Sequence, residues 1–350
     1  MTARILQNNP TDLTLAMHAL ARGELVAMPT ETVYGLAGLA HDSDALLRIF
    51  AAKDRPTFDP LIVHVAPAPV GQRLEALNAA KIVDLRRFTK DQHRVAQSLL
   101  DAFWPGPLTL VLPKAAEIPD LCTAGLNRVG VRMPAHPLAQ KLLQQLGKPL
   151  AAPSANRFGR VSPTTAQHVL AELGERIDWI LDGGACDVGL ESTVLSVEAS
   201  GMCTLLRPGG IATARIEALL GQPLVRASQL PGEMTAPGQL SSHYAPSRPI
   251  VRLEKPLLGT SPLELAQGDT VLVAEGDGQR EAEHFHHLRL NLLLLSPDGT
   301  DLTAARRLFA LLRDLDAHPT GTAFIEPIQR TDGLWPAIAD RLQRASAPRT

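Results

Sequence analysis

Two cations two residues apart, Lys53 and Arg55, are followed at once by Pro56. A proline there stops an ordinary amphipathic helix, so the spacing predicts that both side chains project from a stiff loop at the end of a helical pattern. Upstream, an apolar strand ending at Met28 delivers Pro29, Thr30, Glu31 and Thr32 into a polar turn. Cations beside a hydroxyl-rich strand end suit a ligand with several negative oxygens, because ammonium and guanidinium both match phosphate, the latter bidentately. Short K-x-R patterns are common, and on spacing alone a solvated turn with two surface charges is an equal alternative.

Further groups of this kind follow along the chain. Arg132 lies among the apolar residues of a strand read over 129–133, where an arginine needs a partner or a solvent-filled cleft. A stem-buried arginine snorkelling to the sheet edge is the structural alternative. A short strand from Leu150 to Ala152 runs into Pro153, Ser154, Ala155 and Asn156. Ser162, Pro163, Thr164 and Thr165 then read as an N-cap with proline at the first helical position, opening a helix through Val169 and Leu173. Polar strand-end side chains next to a helix amino terminus make an anion seat, although most such caps only start helices. Glu191, Ser192 and Thr193 stand at a strand start, and Arg207 stands just past a strand end before Pro208, Gly209 and Gly210. Loops at strand ends are where sheet enzymes keep their sites.

The elements that must hold these residues alternate. A helix capped by Thr11 or Asp12 and stopped by Gly23 precedes a first strand at 25–28, a short helix through Leu46 and Phe50, and a buried strand at 61–65. A longer helix through Val95, Leu99 and Phe103 ends at the breakers Trp104, Pro105, Gly106 and Pro107, before a strand at 108–112. A helix at 137–146 and strands at 179–181, 192–197 and 203–206 complete an α/β domain over 1–220. Residues 221–248, rich in proline, glycine and serine, read as a linker. Residues 249–350 read as a small Rossmann-like α/β domain with a parallel sheet, built on strands at 250–253, 270–273, 288–292 and 322–325 and a helix at 302–315. It has no Gly-x-Gly-x-x-Gly, so a dinucleotide role lacks support.

Composition limits the function classes. At 350 residues the length favours two domains, and 45% hydrophobic with 20% charged residues is globular. A net charge of -2 and 4% aromatics argue against an electrostatic grip on nucleic acid or membrane and against a base-stacking platform, leaving room for a local basic site. Cys122, Cys186 and Cys203 form neither a C-x-x-C pair nor a zinc ladder and read as buried thiols of a reducing compartment. With neither a signal-like start nor a bilayer-length apolar run, a cytoplasmic protein is expected.

Taken in order, PTETVYGL, the K-x-R of Lys53 and Arg55, LIVHV, VRMP, PSAN, SPTTAQ, GLESTV, LRPGG and SSHYAP resemble the YrdC-like family of L-threonylcarbamoyladenylate synthases, in its long two-domain form. The resemblance covers about the first two thirds of the chain and implies a twisted-sheet domain around a concave basic cleft. It implies a nucleotidyltransferase reaction in which L-threonine, bicarbonate and ATP give threonylcarbamoyl-AMP and pyrophosphate, with Mg²⁺ accompanying ATP and no protein metal ligand assigned. The product serves tRNA N6-threonylcarbamoyladenosine formation through separate threonylcarbamoyl transferase proteins, and direct tRNA binding is expected to be weak or absent. The family pattern places threonine near Thr32, His64, Arg132, Ser154 and Ser192, and ATP near Lys53, Arg55, Asp59, Asn156, Thr164, Arg207 and Tyr244, with Lys53 and Arg55 catalytic.

Two positions depart from that pattern. Asp59 replaces a common asparagine, which points it at adenine, ribose or metal, since beside phosphate it would repel; Phe158 replaces a frequent serine. Tyr244 falls in the linker, which is expected to fold back as a lid over a labile adenylate. Two rivals share the fold: a non-catalytic RNA-binding module, and a carbamoyltransferase of the hydrogenase-maturation type. The latter carries acylphosphatase and zinc-finger-like segments for which three cysteines and the short stretch before Met28 leave little room.

Overall fold

The structure is a computed structural model and describes residues 2–227, 243–260, 265–275, 278–317 and 321–348. They form two compact units. One comprises 2–158, 163–187 and 191–227; the other comprises 159–162, 188–190 and the described residues after 242.

In the first unit, β1 (Arg4–Leu6), β2 (Val26–Met28), β3 (Gly35–Leu39), β4 (Ile62–His64), β5 (Leu108–Pro113), β6 (Arg128–Arg132), β7 (Leu150–Ala151), β8 (Trp179–Leu181), β9 (Thr193–Val197), β10 (Cys203–Arg207) and β11 (Val225–Arg226) build one mixed sheet. Its order is β1-β8-β2-β3-β7-β4-β6-β5-β9-β10-β11. Strand alternation sends Val63, Leu110, Leu112, Val131, Ala151, Leu195 and Val197 to one face. There they join a continuous apolar cluster with Leu46 and Ile49 of α2 (Ser43–Lys53), Leu74 of α3 (Arg73–Ala79), Leu99 of α4 (Lys90–Phe103) and Val169 of α7 (Ala166–Leu173). On the opposite face Val26, Met28, Ala37, Leu150 and Leu181 pack under Leu13 and Leu20 of α1 (Pro10–Ala21) and Leu138 and Leu142 of α6 (Pro137–Leu146).

That second apolar cluster ends at β7. Leu150 pairs with His64 on β4, and from β4 onward the same face carries His64, Arg132, Thr109 and Arg207 beside a small apolar cluster of Val111 and Val194. The change of chemistry along one sheet face sets the position of the site.

Several local readings are corrected. Helix α1 is capped by Asn9, with Pro10 at its first position, rather than by Thr11 or Asp12. The helix after Ser162 begins four residues later at Ala166, capped by Thr165, whose hydroxyl accepts from His168 N at 3.2 Å. Lys53 does not project from a loop: it is the last residue of α2, and Asp54, in the left-handed region at φ 52°, caps that helix before Arg55. Strands β1 and β3 were not anticipated, because RIL and GLAGL are short and β3 has two glycines and no β-branched residue. Within 221–248, Val225–Arg226 pair with Thr204 and Leu205 as an edge strand.

In the second unit, β12 (Ile250–Arg252), β13 (Thr270–Glu275), β14 (Asn291–Ser296) and β15 (Ala323–Ile325) form a four-stranded sheet, β12-β15-β13-β14, parallel at every pair as expected. Helices α9 (Gln279–His284), α10 (Asp301–Ala317) and α11 (Trp335–Ala345) accompany it. β14 starts three residues later than read, because His286–Leu288 form a 3-10 turn. Tyr244 belongs to this unit: its backbone is left-handed at φ 63°, and its buried ring lies 5.6 Å from Phe309 of α10 and 5.3 Å from the Arg341 guanidinium of α11. Among the described residues no helix is long and apolar enough to cross a membrane.

Candidate active site

Register across five adjacent strands sets the site. His64 pairs with Arg132, Leu110 with Val131, which puts Thr109 opposite Arg132, then Thr109 with Val194 and Val194 with Arg207. Residues in register share a face, so His64, Arg132, Thr109, Val194 and Arg207 form one row from β4 to β10. Four inter-strand spacings make that row about 19 Å long. A bulge between Leu205 and Arg207 re-aims the arginine at the end of β10.

At one end of the row, the Arg132 guanidinium is partly engaged by the protein. Nη1 donates to Thr32 Oγ1 at 2.7 Å and Nε donates to Gly106 O at 3.3 Å. Nη2 lies 2.6 Å from the Glu31 carboxylate, an ion pair whose side chains are 5% and 7% exposed. The turn that presents Glu31 and Thr32 is held by Thr30, whose hydroxyl donates to Val33 O at 2.6 Å and accepts from Thr32 N at 3.2 Å. The proline-glycine breaker before β5 puts the Gly106 carbonyl in place.

His64 beside this pair is buried, and its pKa is pulled down to about 3, by burial first and by the Arg132 charge second. Its Nδ1 lies 3.2 Å from Ile62 O. A neutral imidazole meets a carbonyl with its N–H, which assigns the proton to Nδ1 and leaves Nε2 as an acceptor.

The second cluster is cationic. Lys53, 1% exposed, donates through Nζ to Ser154 O at 2.5 Å and to Asn156 O. Burial, and then repulsion from Arg55, hold its pKa well below the ordinary lysine value. Arg55 donates through Nε to Asp59 O at 3.1 Å and through Nη2 to Pro60 O at 2.8 Å, and Nη2 lies 2.9 Å from Asp59 Oδ2. Burial raises the Asp59 pKa, against the pull of Arg55, Lys53 and Arg207, so three cations converge on one carboxylate.

Arg207 also reaches back toward the row. Its Nη2 donates to Ser192 O at 3.0 Å and to Ser192 Oγ at 3.2 Å, and Ser192 Oγ is 2.8 Å from Thr109 Oγ1. The LRPGG turn presses directly on this backbone. A Cβ on Gly209 would sit 2.3 Å from Glu191 O and 2.4 Å from the Ser192 carbonyl carbon, so only glycine fits.

Hydrogen bonds and charge interactions therefore run from Asn156 and Ser154 through Lys53, Arg55 and Asp59 to Arg207, Ser192 and Thr109, and strand pairing continues the path to Arg132, Thr32 and His64. Eleven of the twelve residues singled out in the sequence lie in this unit, and ten stand on that path. The eleventh, Thr164, is bonded to His168 Nδ1 at 3.3 Å, and its carbonyl accepts from Cys186 N at 3.0 Å. Cys186 in turn lies within electrostatic reach of Glu31 and Arg132. Tyr244 belongs to the second unit, and the segment before it, 228–242, lies outside the described residues. All three cysteines are buried free thiols.

Sequence reasoning gave no role to Glu31, Thr109 or Gly209. Glu31 was legible as a carboxylate between two threonines directly after a buried strand. Thr109 was legible as the one polar residue in LTLVL.

Comparison with known proteins follows this geometry. The family model Sua5_yciO_yrdC, described as "Telomere recombination", matches residues 18–209, and "Threonylcarbamoyl-AMP synthase, C-terminal domain" matches 211–347. A threonylcarbamoyl-AMP synthase of Pyrococcus abyssi is 38% identical over 96% of this chain and 94% of its own length. That of Schizosaccharomyces pombe is 36% identical over 92% and 85%, and that of Bacillus subtilis 43% over 71% and 68%. The crystal structure of P. abyssi Sua5 complexed with L-threonine superposes with a TM-score of 0.81 at 33% identity, covering 99% of this chain and 98% of that one. The chain belongs to the threonylcarbamoyl-AMP synthase family.

Proposed function

We propose that the row from His64 to Arg207 is where L-threonine, bicarbonate and ATP are joined into threonylcarbamoyl-AMP, with release of pyrophosphate. The observation that carries this reading is that one row of the sheet holds both an arginine buried against a carboxylate, Arg132 with Glu31, and an arginine, Arg207, that acts with Lys53 and Arg55 on Asp59. Arg132, with Thr32, Ser154 and Ser192 nearby, holds the amino acid. Neutral His64 offers Nε2 as acceptor to the threonine hydroxyl, which an amino acid lacking that hydroxyl leaves unpaired. Lys53, Arg55 and Arg207 face the triphosphate, with Asn156 and Thr164 completing the nucleotide contacts in this unit.

The neutral amine of threonine adds to bicarbonate-derived carbon dioxide, forming the N–C bond of a carbamate and releasing a proton. A carbamate oxygen then attacks the α-phosphorus, and the α–β bridging oxygen leaves with pyrophosphate. Negative charge grows on the α-phosphoryl and leaving oxygens, where Lys53 and Arg55 offset it. An anionic ligand also restores the charge that burial takes from Lys53.

Mg²⁺ enters as part of the ATP substrate, held by phosphate oxygens. Among the described residues no cluster of three or more histidine, cysteine or carboxylate side chains could hold a metal, and the Asp59 carboxylate is engaged by Arg55. The reaction takes place in the cytoplasm, and the product passes to tRNA threonylcarbamoyl transferase proteins with weak or no direct tRNA contact.

Mass spectrometry of products from ATP, bicarbonate and threonine tests the assignment. Threonylcarbamoyl-AMP and pyrophosphate in equal amounts, both absent without threonine, are expected. Full pyrophosphate release without threonine contradicts it.

A further inference from the structure

We propose that Glu31 receives the α-ammonium group of the amino-acid substrate, so that the Arg132–Glu31 pair reads the zwitterion as a unit. The inference rests on the reading that Arg132 holds the substrate carboxylate, and adds a recognition residue to it.

The Glu31 side chain is more than nine-tenths buried, yet neither carboxylate oxygen accepts a hydrogen bond. Arg132 Nη2 is close at 2.6 Å but off the line of a hydrogen bond. A buried carboxylate without donors is costly, and such a group calls for a donor that the free protein does not provide.

The neighbouring donors are committed elsewhere. The Thr30 hydroxyl donates to Val33 O, and Thr32 Oγ1 lies 2.8 Å from Thr30 Oγ1 while accepting from Arg132. His64 Nδ1–H is directed to Ile62 O. Cys186 is held as a neutral thiol, its pKa pushed up by burial first and by the Glu31 charge second.

An ammonium group has three donors and the right charge, and in an α-amino acid one carbon separates it from the carboxylate. A cation and an anion in contact in the protein are the mirror of that arrangement. The opposite end of the site differs: Lys53, Arg55 and Arg207 act together on Asp59. That end suits a polyanion and not a zwitterion.

The test measures affinity for threonine and for its hydroxy-acid analogue, in which a hydroxyl replaces the amine, by calorimetry on the full chain and on Glu31→Gln. ATP affinity in the same samples shows that the fold is intact. The wild-type chain is expected to prefer threonine by about 10- to 100-fold, the range of a charge-assisted hydrogen bond. In Glu31→Gln that ratio falls to near one, with ATP affinity unchanged within about 2-fold. Equal weakening of both ligands, with the ratio preserved, overturns the assignment and leaves Glu31 as a support for Arg132 only.

If Glu31→Gln does not fold, Glu31→Asp keeps the charge and shortens its reach. A reduced ratio then supports the proposal and an unchanged ratio overturns it. Failure of the wild-type chain to bind threonine removes both this assignment and the reading beneath it, whereas a preserved ratio removes this assignment alone.

Discussion

The two ends of the site are built from similar cations in opposite electrostatic settings. Arg132 has a carboxylate of its own in Glu31, and its Nη1 and Nε are spent on Thr32 and Gly106. Lys53, Arg55 and Arg207 lean instead on backbone carbonyls, and the single carboxylate of Asp59 feels all three. A buried cation with a matched anion recognises a ligand without net charge. Several basic side chains acting on one carboxylate suit a polyanion. Charge balance, more than residue type, divides the site.

That division breaks first at the cationic end. Lys53→Ala and Arg55→Ala should each lower turnover by about 100- to 1000-fold, as loss of a group that stabilises transition-state charge does, while threonine affinity is largely kept. Pyrophosphate release and threonine calorimetry on the same preparations check this, and normal turnover in both variants would remove their assigned role.

Gly209→Ala tests the link between the ends, since Ser192 touches both Arg207 and Thr109. A methyl group 2.3 Å from Glu191 O must push the LRPGG turn off the Ser192 backbone. Turnover should fall by about 10- to 100-fold, and the fold should lose about 1–3 kcal/mol by overpacking, seen in denaturant unfolding.

His64 sharpens the comparison through pH. It stays neutral in the fold down to about pH 3, while its ordinary value is 6.5, so between those values the unfolded chain binds more protons. Stability fully present above pH 6.5 is therefore lost as pH falls, by about 1.4 kcal/mol per unit from this residue. His64→Gln should flatten the pH dependence of the unfolding free energy across that window, and an unaltered slope would contradict the buried neutral imidazole.

The smallest effect belongs to Asp59. Because burial raises its pKa, its carboxylate takes up a proton at higher pH than an ordinary aspartate. In the proposed binding mode, acidification then removes a negative charge beside the cations that hold the triphosphate. ATP should bind about 2- to 5-fold more tightly as pH falls through the Asp59 titration, and Asp59→Asn should show the tighter binding at all pH values. Calorimetry with ATP across pH measures both.

Much of this was readable in the sequence where a motif and a breaker coincide. WPGP marked the start of β5, and the row residues His64, Arg132 and Arg207 were all singled out beforehand. Side-chain type gave their chemistry, but not their registration, because strand partners along the row stand up to 85 positions apart, as Thr109 and Val194 do, and leave no local trace. Lys53 was read as a loop cation because Pro56 marks a stop without saying how many residues earlier the helix ends; the left-handed Asp54 lets α2 run to Lys53 and buries its amine. Glu31 passed without a role because a carboxylate in a polar turn looks solvated until Arg132, 101 positions away, closes over it.

The central claim is the division of the site into a zwitterion end and a polyanion end, and crossed Michaelis constants test it most directly. Arg132→Ala should raise the KM for threonine by 10-fold or more, on the order expected for a lost charge-assisted hydrogen bond, and leave the KM for ATP within about 2-fold. Arg207→Ala should do the reverse. If both variants raise both constants to the same extent, the two ends are not separate and the account is wrong.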